Sequence, residues 1–310
     1  MPSILRHGSS RINPRPSQSR AVPVATSVDA GWTLAPIVLL ALAGYVAVYV
    51  VRWRTARRQG GARAAGAWRL VSWCAGVLVL FVALISPVDR LGEQLASVHM
   101  VQHLLIADLA PILLILGLTR WILRPATRRI HRIERAAGPL AHPVAGVVAY
   151  VGVMWLWHVP ALYDAALERP VVHVLEHLSF AAAGFLYWWF LLSPIRSRLR
   201  LEGMGPVAYM FSTKILVGLL GIVLAFSPTL LYDAYGSGGT RWELTPLDDQ
   251  HVAGLVMALE QSIVMGIALA WLFARMLAES ERANQREEAA AEREEQRLAD
   301  AAAGPHTPPA

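Results

Sequence analysis

Long apolar segments alternate with short polar connections along most of this chain. Crossing about 30 Å of hydrocarbon takes roughly 20 apolar residues in a helix, because every backbone polar group must be satisfied within the segment. Seven segments fit this requirement, and the fourth is the shortest: 33–51, 68–86, 95–119, 142–157, 171–192, 206–226 and 250–274. The pattern predicts an all-α fold, a polytopic transmembrane helical bundle.

The composition supports a membrane protein. Hydrophobic residues make up 55% of the chain, charged residues 16%, and the mean hydropathy is +0.43, all on the apolar side of ordinary soluble domains. The apolar runs are continuous, whereas strands of a membrane barrel alternate in polarity over about 10 residues. A helical bundle is therefore favoured over a barrel.

Arginine is concentrated in alternate connections. The first connection, counted as far as Arg69, holds six arginines, the third holds six and the fifth holds three, and each of the other three holds one. Because short arginine-rich loops stay in the cytoplasm, we expect the N-terminus outside and the C-terminus inside. Four arginines before the first segment oppose this orientation. Loop arginines facing an anionic inner leaflet account for the net charge of +6, so no nucleic-acid partner is predicted.

Both ends of the chain differ in composition from the bundle, which we assign to 32–275. Residues 1–31 are predicted to form a disordered tail, since they are rich in Pro, Ser and Arg and lack the apolar core of a secretory signal. Residues 276–310 are predicted to form a charged cytoplasmic tail. Its Ala, Glu and Arg content favours a solvated helix to about residue 303, with docking to a partner as the alternative.

Six histidines lie at segment ends that the charge bias places on the outer face. Two pairs have i,i+4 spacing, which puts both rings of a pair on one helix face. The six are His99 and His103 in the third segment, His158 ending the fourth, His173 and His177 in the fifth, and His251 in the seventh. Four helices should therefore bring imidazoles to one depth.

This grouping predicts a metal site, with copper as the preferred ion. Cys74 is the only cysteine, so ligands must come from His, Met or carboxylate. Imidazole suits Cu, Zn, Fe and Ni, whereas thioether favours Cu(I), and Met100, Met154 and Met257 are close enough in sequence to contribute. For any single histidine, a hydrogen-bonded interfacial role is the alternative.

The fifth segment also contains a pattern typical of a different chemistry. His173-Val-Leu-Glu176-His177 matches the H-x-x-E-H pattern of inverted zincins, in which Glu is the general base of a zinc peptidase. Glu176 would otherwise orient a histidine or buffer a proton beside the metal. Haem is less favoured than copper. The cytoplasmic halves of the segments hold no histidine beyond His142 at the first position of the fourth segment, so only an outer haem would find a pair of axial ligands.

Among the ionisable residues within the apolar segments, three stand out: Asp108, Lys214 and Glu260. Such residues are costly in hydrocarbon and are candidates for function. Asp108 and Lys214 lie at similar depths, which predicts an ion pair between the third and sixth spans. A proton or ion relay is the alternative, and it would make the protein a transporter.

A short phrase recurs in two outer connections. Leu162-Tyr163-Asp164-Ala165 follows the fourth segment, and Leu231-Tyr232-Asp233-Ala234 follows the sixth. A brief internal repeat and similar turn chemistry would explain the recurrence equally well.

Several phrases together resemble one known family, the CtaG-like assembly factors of bacterial haem–copper cytochrome c oxidases, over roughly 33–275. In order, the phrases are His99-Met-Val-Gln-His103-Leu-Leu with Ala110-Pro111, Trp157-His158-Val-Pro160-Ala-Leu-Tyr163-Asp164-Ala-Ala, His173-Val-Leu-Glu176-His177 with Phe180, and Asp249-Gln250 with Ala253-Gly254 and Met257. The chain departs from the family in having Ala258 where Trp is usual and His251 directly after Gln250.

The resemblance implies a non-enzymatic role in the bacterial plasma membrane, in which the protein helps copper reach a cytochrome c oxidase subunit on the outer side. Combined with the histidine pattern, it predicts that the two i,i+4 pairs bind the ion, with His158 and His251 as alternates. A scaffold that assists oxidase assembly without any metal is a further alternative.

Overall fold

The computed structural model describes residues 27–195, 201, 203–236 and 239–303, with 260, 261, 264, 265 and 300–303 described by backbone alone. Within these ranges the chain is helical and forms no strand. The α-helices are α1 (Pro36–Ala64), α2 (Ala67–Ile85), α3 (Pro87–Gly92), α4 (Ala96–Leu104), α5 (Ala110–Gly117), α6 (Arg124–Ala137), α7 (Pro143–Trp157), α8 (Pro160–Glu168), α9 (Pro170–Leu192), α10 (Gly205–Phe226), α11 (Asp233–Gly236) and α12 (Pro246–Ala303). This confirms the predicted all-α fold.

Five helical segments in the described ranges are long and apolar enough to cross a membrane: α1, α2, residues Ala96–Gly117, α9 and α10. The number rises to six if α7 and the preceding helical segment Arg124–Ala141, which meet at 71°, form one broken span. The protein is therefore a multi-pass membrane protein. The predicted seventh segment lies inside α12, partly among residues whose side chains are outside the described set.

Other expectations also fall outside the described residues. These are most of the predicted N-terminal tail, the last seven residues, and the arginines of the fifth connection. In the C-terminal region, α12 continues without a break from the predicted seventh segment through the charged residues to Ala303. Side chains beyond residue 276 are almost all exposed up to residue 299, as a solvated helix requires.

Apolar side chains on the outer helices face away from the protein. Ile37 of α1, Val171 of α9 and Phe226 of α10 are 83%, 74% and 78% exposed, although each belongs to an apolar span. In hydrocarbon this exposure carries no hydrophobic penalty, because lipid tails are as apolar as these side chains. The buried centre of the bundle instead contains aromatic residues and a set of polar and ionisable groups.

The third span, Ala96–Gly117, contains a single π-helical turn at Leu105–Leu109. Pro111 has no N–H to donate to the carbonyl of Ala107, and its ring would crowd that carbonyl in a regular helix. The wider turn relieves the crowding, and the N–H of Ala110 donates to the carbonyl of Leu105 instead. Gly184 of α9 packs on the Ala107 carbonyl, where any Cβ atom would overlap it.

The start of α4 is fixed by side chains from other helices. Leu95, the N-cap residue, has no side-chain acceptor, and the carboxylate of Asp249 in α12 accepts from the backbone N–H groups of Ala96 and Ser97 at 2.6 and 3.3 Å. The amide of Gln102 donates to Asp89 and to the carbonyl of Ala83, both at 2.8 Å. These contacts set the rotation of α4 and hence the direction in which its histidines point.

Candidate metal site

Two helices bring four histidines and one carboxylate together inside the bundle. His99 and His103 project from one face of α4, and His173, Glu176 and His177 project from α9. Nε2 of His99 and Nε2 of His103 lie 3.5 and 3.4 Å from the same oxygen of Glu176. The ring centroids of His99 and His173 are 5.7 Å apart, and those of His103 and His177 are 5.8 Å apart. We call these five residues the His/Glu cluster.

The polar atoms of the His/Glu cluster are buried without hydrogen-bond partners among the described residues. They are both ring nitrogens of His99 and His103, Nε2 of His173 and His177, and both oxygens of Glu176. Buried polar side-chain atoms are nearly always hydrogen-bonded, and each exception calls for an explanation such as a bound ion. Eight such atoms in one place make the cluster a candidate site for a cation.

The spacing of these atoms suits a transition metal. His99, His103 and Glu176 form one group, and His173, Glu176 and His177 form another, each with its ligand atoms within 4.8 Å of one another. Ligands at about 2.0–2.1 Å from a tetrahedral ion lie about 3.3–3.4 Å apart, which matches the distances from the histidines of α4 to Glu176. Glu176 belongs to both groups.

His158 stands beside the cluster at the end of α7. Its ring centroid is 6.4 Å from that of His103, its Nδ1 lies 2.6 Å from the carbonyl oxygen of Met154, and its Nε2 lies 3.3 Å from Sδ of Met100. Burial lowers the pKa of His158 to about 4, although the hydrogen bond to Met154 acts in the opposite direction. Five of the six predicted histidines are therefore brought together.

His251 is placed elsewhere. Its Nε2 lies 2.9 Å from the carbonyl oxygen of Ser227, at the end of α10, and it belongs to neither group of candidate ligands. Its neighbours in sequence have structural roles: Asp249 caps α4, and the amide of Gln250 bonds Leu231 and Thr229. Residues of the Asp249-Gln250 phrase thus position the site without entering it.

A layer of tyrosines covers the cluster beside the connections that follow α7 and α10. Tyr163 and Tyr232 stack with ring centroids 3.8 Å apart, and Tyr163 lies 5.2 Å from the ring of His99. The Tyr235 hydroxyl is 3.3 Å from that of Tyr163 and donates to the carbonyl of Gly92 at 2.9 Å. Burial raises the pKa of Tyr163 and of Tyr235 well above the ordinary value, so both are neutral phenols.

These tyrosines were not among the predicted site residues, although the sequence contained a signal for two of them. Tyr163 and Tyr232 are the tyrosines of the recurring Leu-Tyr-Asp-Ala phrase, and Asp164 of one copy accepts from the backbone N–H of Ala234 of the other at 3.2 Å. The two copies of the phrase therefore contact each other beside the His/Glu cluster.

The predicted ion pair between Asp108 and Lys214 is wrong. Asp108, in the π-helical turn, is fully buried and accepts from the hydroxyl of Tyr150 at 2.6 Å and from the indole N–H of Trp188 at 2.9 Å. Lys214 donates to Ser262 at 3.0 Å in an exposed contact. The two side chains therefore have different partners and do not form the predicted pair. The side chain of Glu260 is outside the described set.

The fold and this site define a class, an all-helical multi-pass membrane protein with a buried histidine–carboxylate cluster. Residues 47–279 match the family described as cytochrome c oxidase caa3 assembly factor. This match covers most of the chain, so the chain belongs to that family, as its sequence phrases predicted.

Relatives among curated proteins are mycobacterial. An uncharacterized protein of Mycobacterium leprae is 24% identical over 79% of this chain and 38% of its own length. Uncharacterized proteins of Mycobacterium bovis and Mycobacterium tuberculosis are each 26% identical over 70% of this chain and 35% of their own length. The chain thus spans a little over a third of the length of these relatives. No solved structure matches the chain.

Proposed function

We propose that this protein holds copper transiently at the His/Glu cluster and passes it to a subunit of a caa3-type cytochrome c oxidase during assembly. One observation supports the proposal above all, the eight buried ligand atoms that lack partners among the described residues. Copper is the cargo in this role, and the protein itself performs no catalysis. Imidazole and carboxylate donors suit Cu(II) as well as Zn(II), so the choice of copper rests on the family.

Glu176 is proposed as a direct ligand. The sequence suggested a position behind a histidine, but its oxygen lies 3.4–3.5 Å from two imidazoles of α4, at the separation expected of fellow ligands. Its negative charge would partly neutralise the ion in the apolar interior, which lowers the cost of burying the metal. The arrangement also argues against the peptidase alternative, because a ligand carboxylate cannot at the same time activate a water molecule as general base.

The proposed topology has seven spans, with the N-terminus outside and the C-terminus inside. Support comes from the arginine-rich connections, which favour the cytoplasm, and from the helix at each of the seven predicted positions. In this orientation the His/Glu cluster lies near the outer face. The partner oxidase subunit and the surrounding bilayer are its expected contacts, and nucleic acid is not.

The test is metal content after the detergent-purified full-length protein is loaded with Cu(II) in the absence of a reductant. Wild type, the double variant His103→Ala/His177→Ala, and the single variant His251→Ala would be compared. We expect copper in wild type and in His251→Ala, and loss of copper in the double variant, because only the latter removes candidate ligands from both groups. Each variant would also be scored for oxidase activity in host membranes.

Three outcomes would overturn the proposal. If the double variant retained copper, the ion would be bound elsewhere. If the wild type held no copper, and deletion of the protein nevertheless abolished oxidase activity, the role would be that of a scaffold. If the purified protein showed a Soret band that depended on these histidines, the site would be a haem site.

A further inference from the structure

Met100 and His158 face each other beside the His/Glu cluster in an arrangement that ordinary hydrogen bonding leaves unexplained. Nε2 of His158 lies 3.3 Å from Sδ of Met100, and the two residues are 6% and 2% exposed. Neither residue belongs to the two groups of His and Glu ligands.

The hydrogen bond at the other ring nitrogen fixes which atom carries the proton. Nδ1 of His158 lies 2.6 Å from the carbonyl oxygen of Met154, and a carbonyl oxygen only accepts, so Nδ1 is the donor. In the neutral ring Nε2 then presents a lone pair. The thioether sulfur of Met100 also presents lone pairs, so two acceptors meet in a buried place.

We infer that Nε2 of His158 and Sδ of Met100 form a binding site for Cu(I), adjacent to the His/Glu cluster. This inference rests on the proposed function and adds a second site, for copper in its reduced state. A cation that is bound by both Nε2 and Sδ replaces this unfavourable contact between two acceptors with two bonds. Thioether sulfur is a soft ligand that selects Cu(I) over the divalent ions that imidazole and carboxylate accept.

The geometry of α4 explains how one helix serves two sites. His99 and His103 are four residues apart and share a face that points to α9, where Glu176 lies. Met100 is one residue from His99 and is therefore rotated by about 100° around the helix, toward the end of α7. Met100 and His158 thus form a second site next to the first, with the ring of His103 6.4 Å from that of His158.

The two sites differ in charge and therefore prefer different metal ions. The His/Glu cluster contains a carboxylate and suits a divalent ion, whereas the Met100/His158 pair is neutral and suits a soft monovalent ion. A selective loss of Cu(I) binding, without a loss of Zn(II) binding, is therefore the signature of this second site.

The experiment uses the full-length protein in detergent, with Cys74→Ser as the background. Cys74 is exposed and its thiolate would otherwise compete for Cu(I). The test variant is Met100→Leu, which nearly conserves volume. The control is Met210→Leu, since Met210 is equally buried but lies near the start of α10, at the opposite end of that helix from Ser227.

Affinity is measured for each protein by competition with a chromogenic chelator, for Cu(I) under anaerobic reducing conditions and for Zn(II) in parallel. Met100→Leu should weaken Cu(I) binding by about tenfold or more and leave Zn(II) binding nearly unchanged. Met210→Leu should change neither. Equal Cu(I) affinity in wild type and Met100→Leu would overturn the inference.

A spectroscopic measurement locates the sulfur directly. With selenomethionine in place of methionine, copper-edge X-ray absorption should show a copper–selenium contribution that persists in Met210→Leu and disappears in Met100→Leu. Cu(I) bound without this contribution would overturn the thioether site and leave the proposed function standing. Failure of the wild type to bind Cu(I), Cu(II) or Zn(II) would instead overturn the proposed function itself.

Discussion

Gly184 of α9 packs directly on the backbone carbonyl of Ala107 in the π-helical turn of the third span. The carbonyl is available because Pro111 cannot donate to it, and the glycine is required because a Cβ atom would overlap it. This contact brings α9 close to the third span just below the histidines. The close approach allows Glu176 to reach the imidazoles of α4.

Gly184→Ala is therefore expected to destabilise the protein by about 1–3 kcal/mol, because the added methyl group meets backbone that cannot move aside like a flexible side chain. The measurement is chemical or thermal unfolding of the detergent-purified protein. Gly152→Ala is the matched control, since no atom would lie within 4 Å of its Cβ, and alanine there should be neutral or slightly stabilising. Equal stability of both variants would contradict the packing described for Gly184.

Asp108 should be coupled in energy to Tyr150 and not to Lys214. Tyr150→Phe removes a buried hydrogen bond to the carboxyl group and should cost about 1–3 kcal/mol. Lys214→Met should not destabilise the protein, because the ammonium group bonds Ser262 in an exposed contact and does not meet Asp108. A double-mutant cycle of Asp108→Asn with Lys214→Met should give a coupling energy below about 0.5 kcal/mol. A larger coupling energy would show that Asp108 and Lys214 do interact.

Asp249 is expected to stabilise α4 by capping its first turn from another helix. Asp249→Ala should cost about 0.5–2 kcal/mol, whereas Asp249→Asn retains an acceptor oxygen and should cost less. Because the cap sets the position of His99 and His103, the alanine variant should also bind metal more weakly. Unfolding and metal titration of the two variants test both effects. If Asp249→Ala left metal affinity unchanged, the cap would not control the position of the histidines.

Glu176→Gln should weaken metal binding in the full-length protein by roughly 10–100-fold, since the amide keeps the shape of the side chain but not its charge. A zinc peptidase would instead lose hydrolysis while keeping its metal. Metal affinity and hydrolysis of a peptide library, measured on wild type and variant, distinguish the two roles.

Bound metal should also be released as the solution is acidified, because imidazole must lose its proton to bind the metal. The direction follows from competition between proton and metal for the same nitrogen atoms. Copper retention measured from pH 8 to pH 5 tests it. Copper retention that increased on acidification would contradict this competition.

The sequence predicted the elements of the site because they depend on local geometry. The i,i+4 spacing of His99 with His103 and of His173 with His177 places each pair on one helix face whatever surrounds it. The phrases around Glu176 and Asp249 identified the family, and the arginine-rich connections indicated alternate sides of a membrane. Long apolar runs in the same way predicted the helices.

Tertiary structure decided which of these elements meet, because the rotation of a helix about its axis is set by packing and not by its own sequence. Asp108 turns to Tyr150 and Trp188 and not to Lys214, and His251 turns to Ser227 and away from the other histidines. The π-helical turn and Gly184 bring α9 near α4, and that approach makes Glu176 a candidate ligand. The sequence by itself thus determined the helices, the family and the candidate residues of the site. Packing between helices determined their directions, and through them the site.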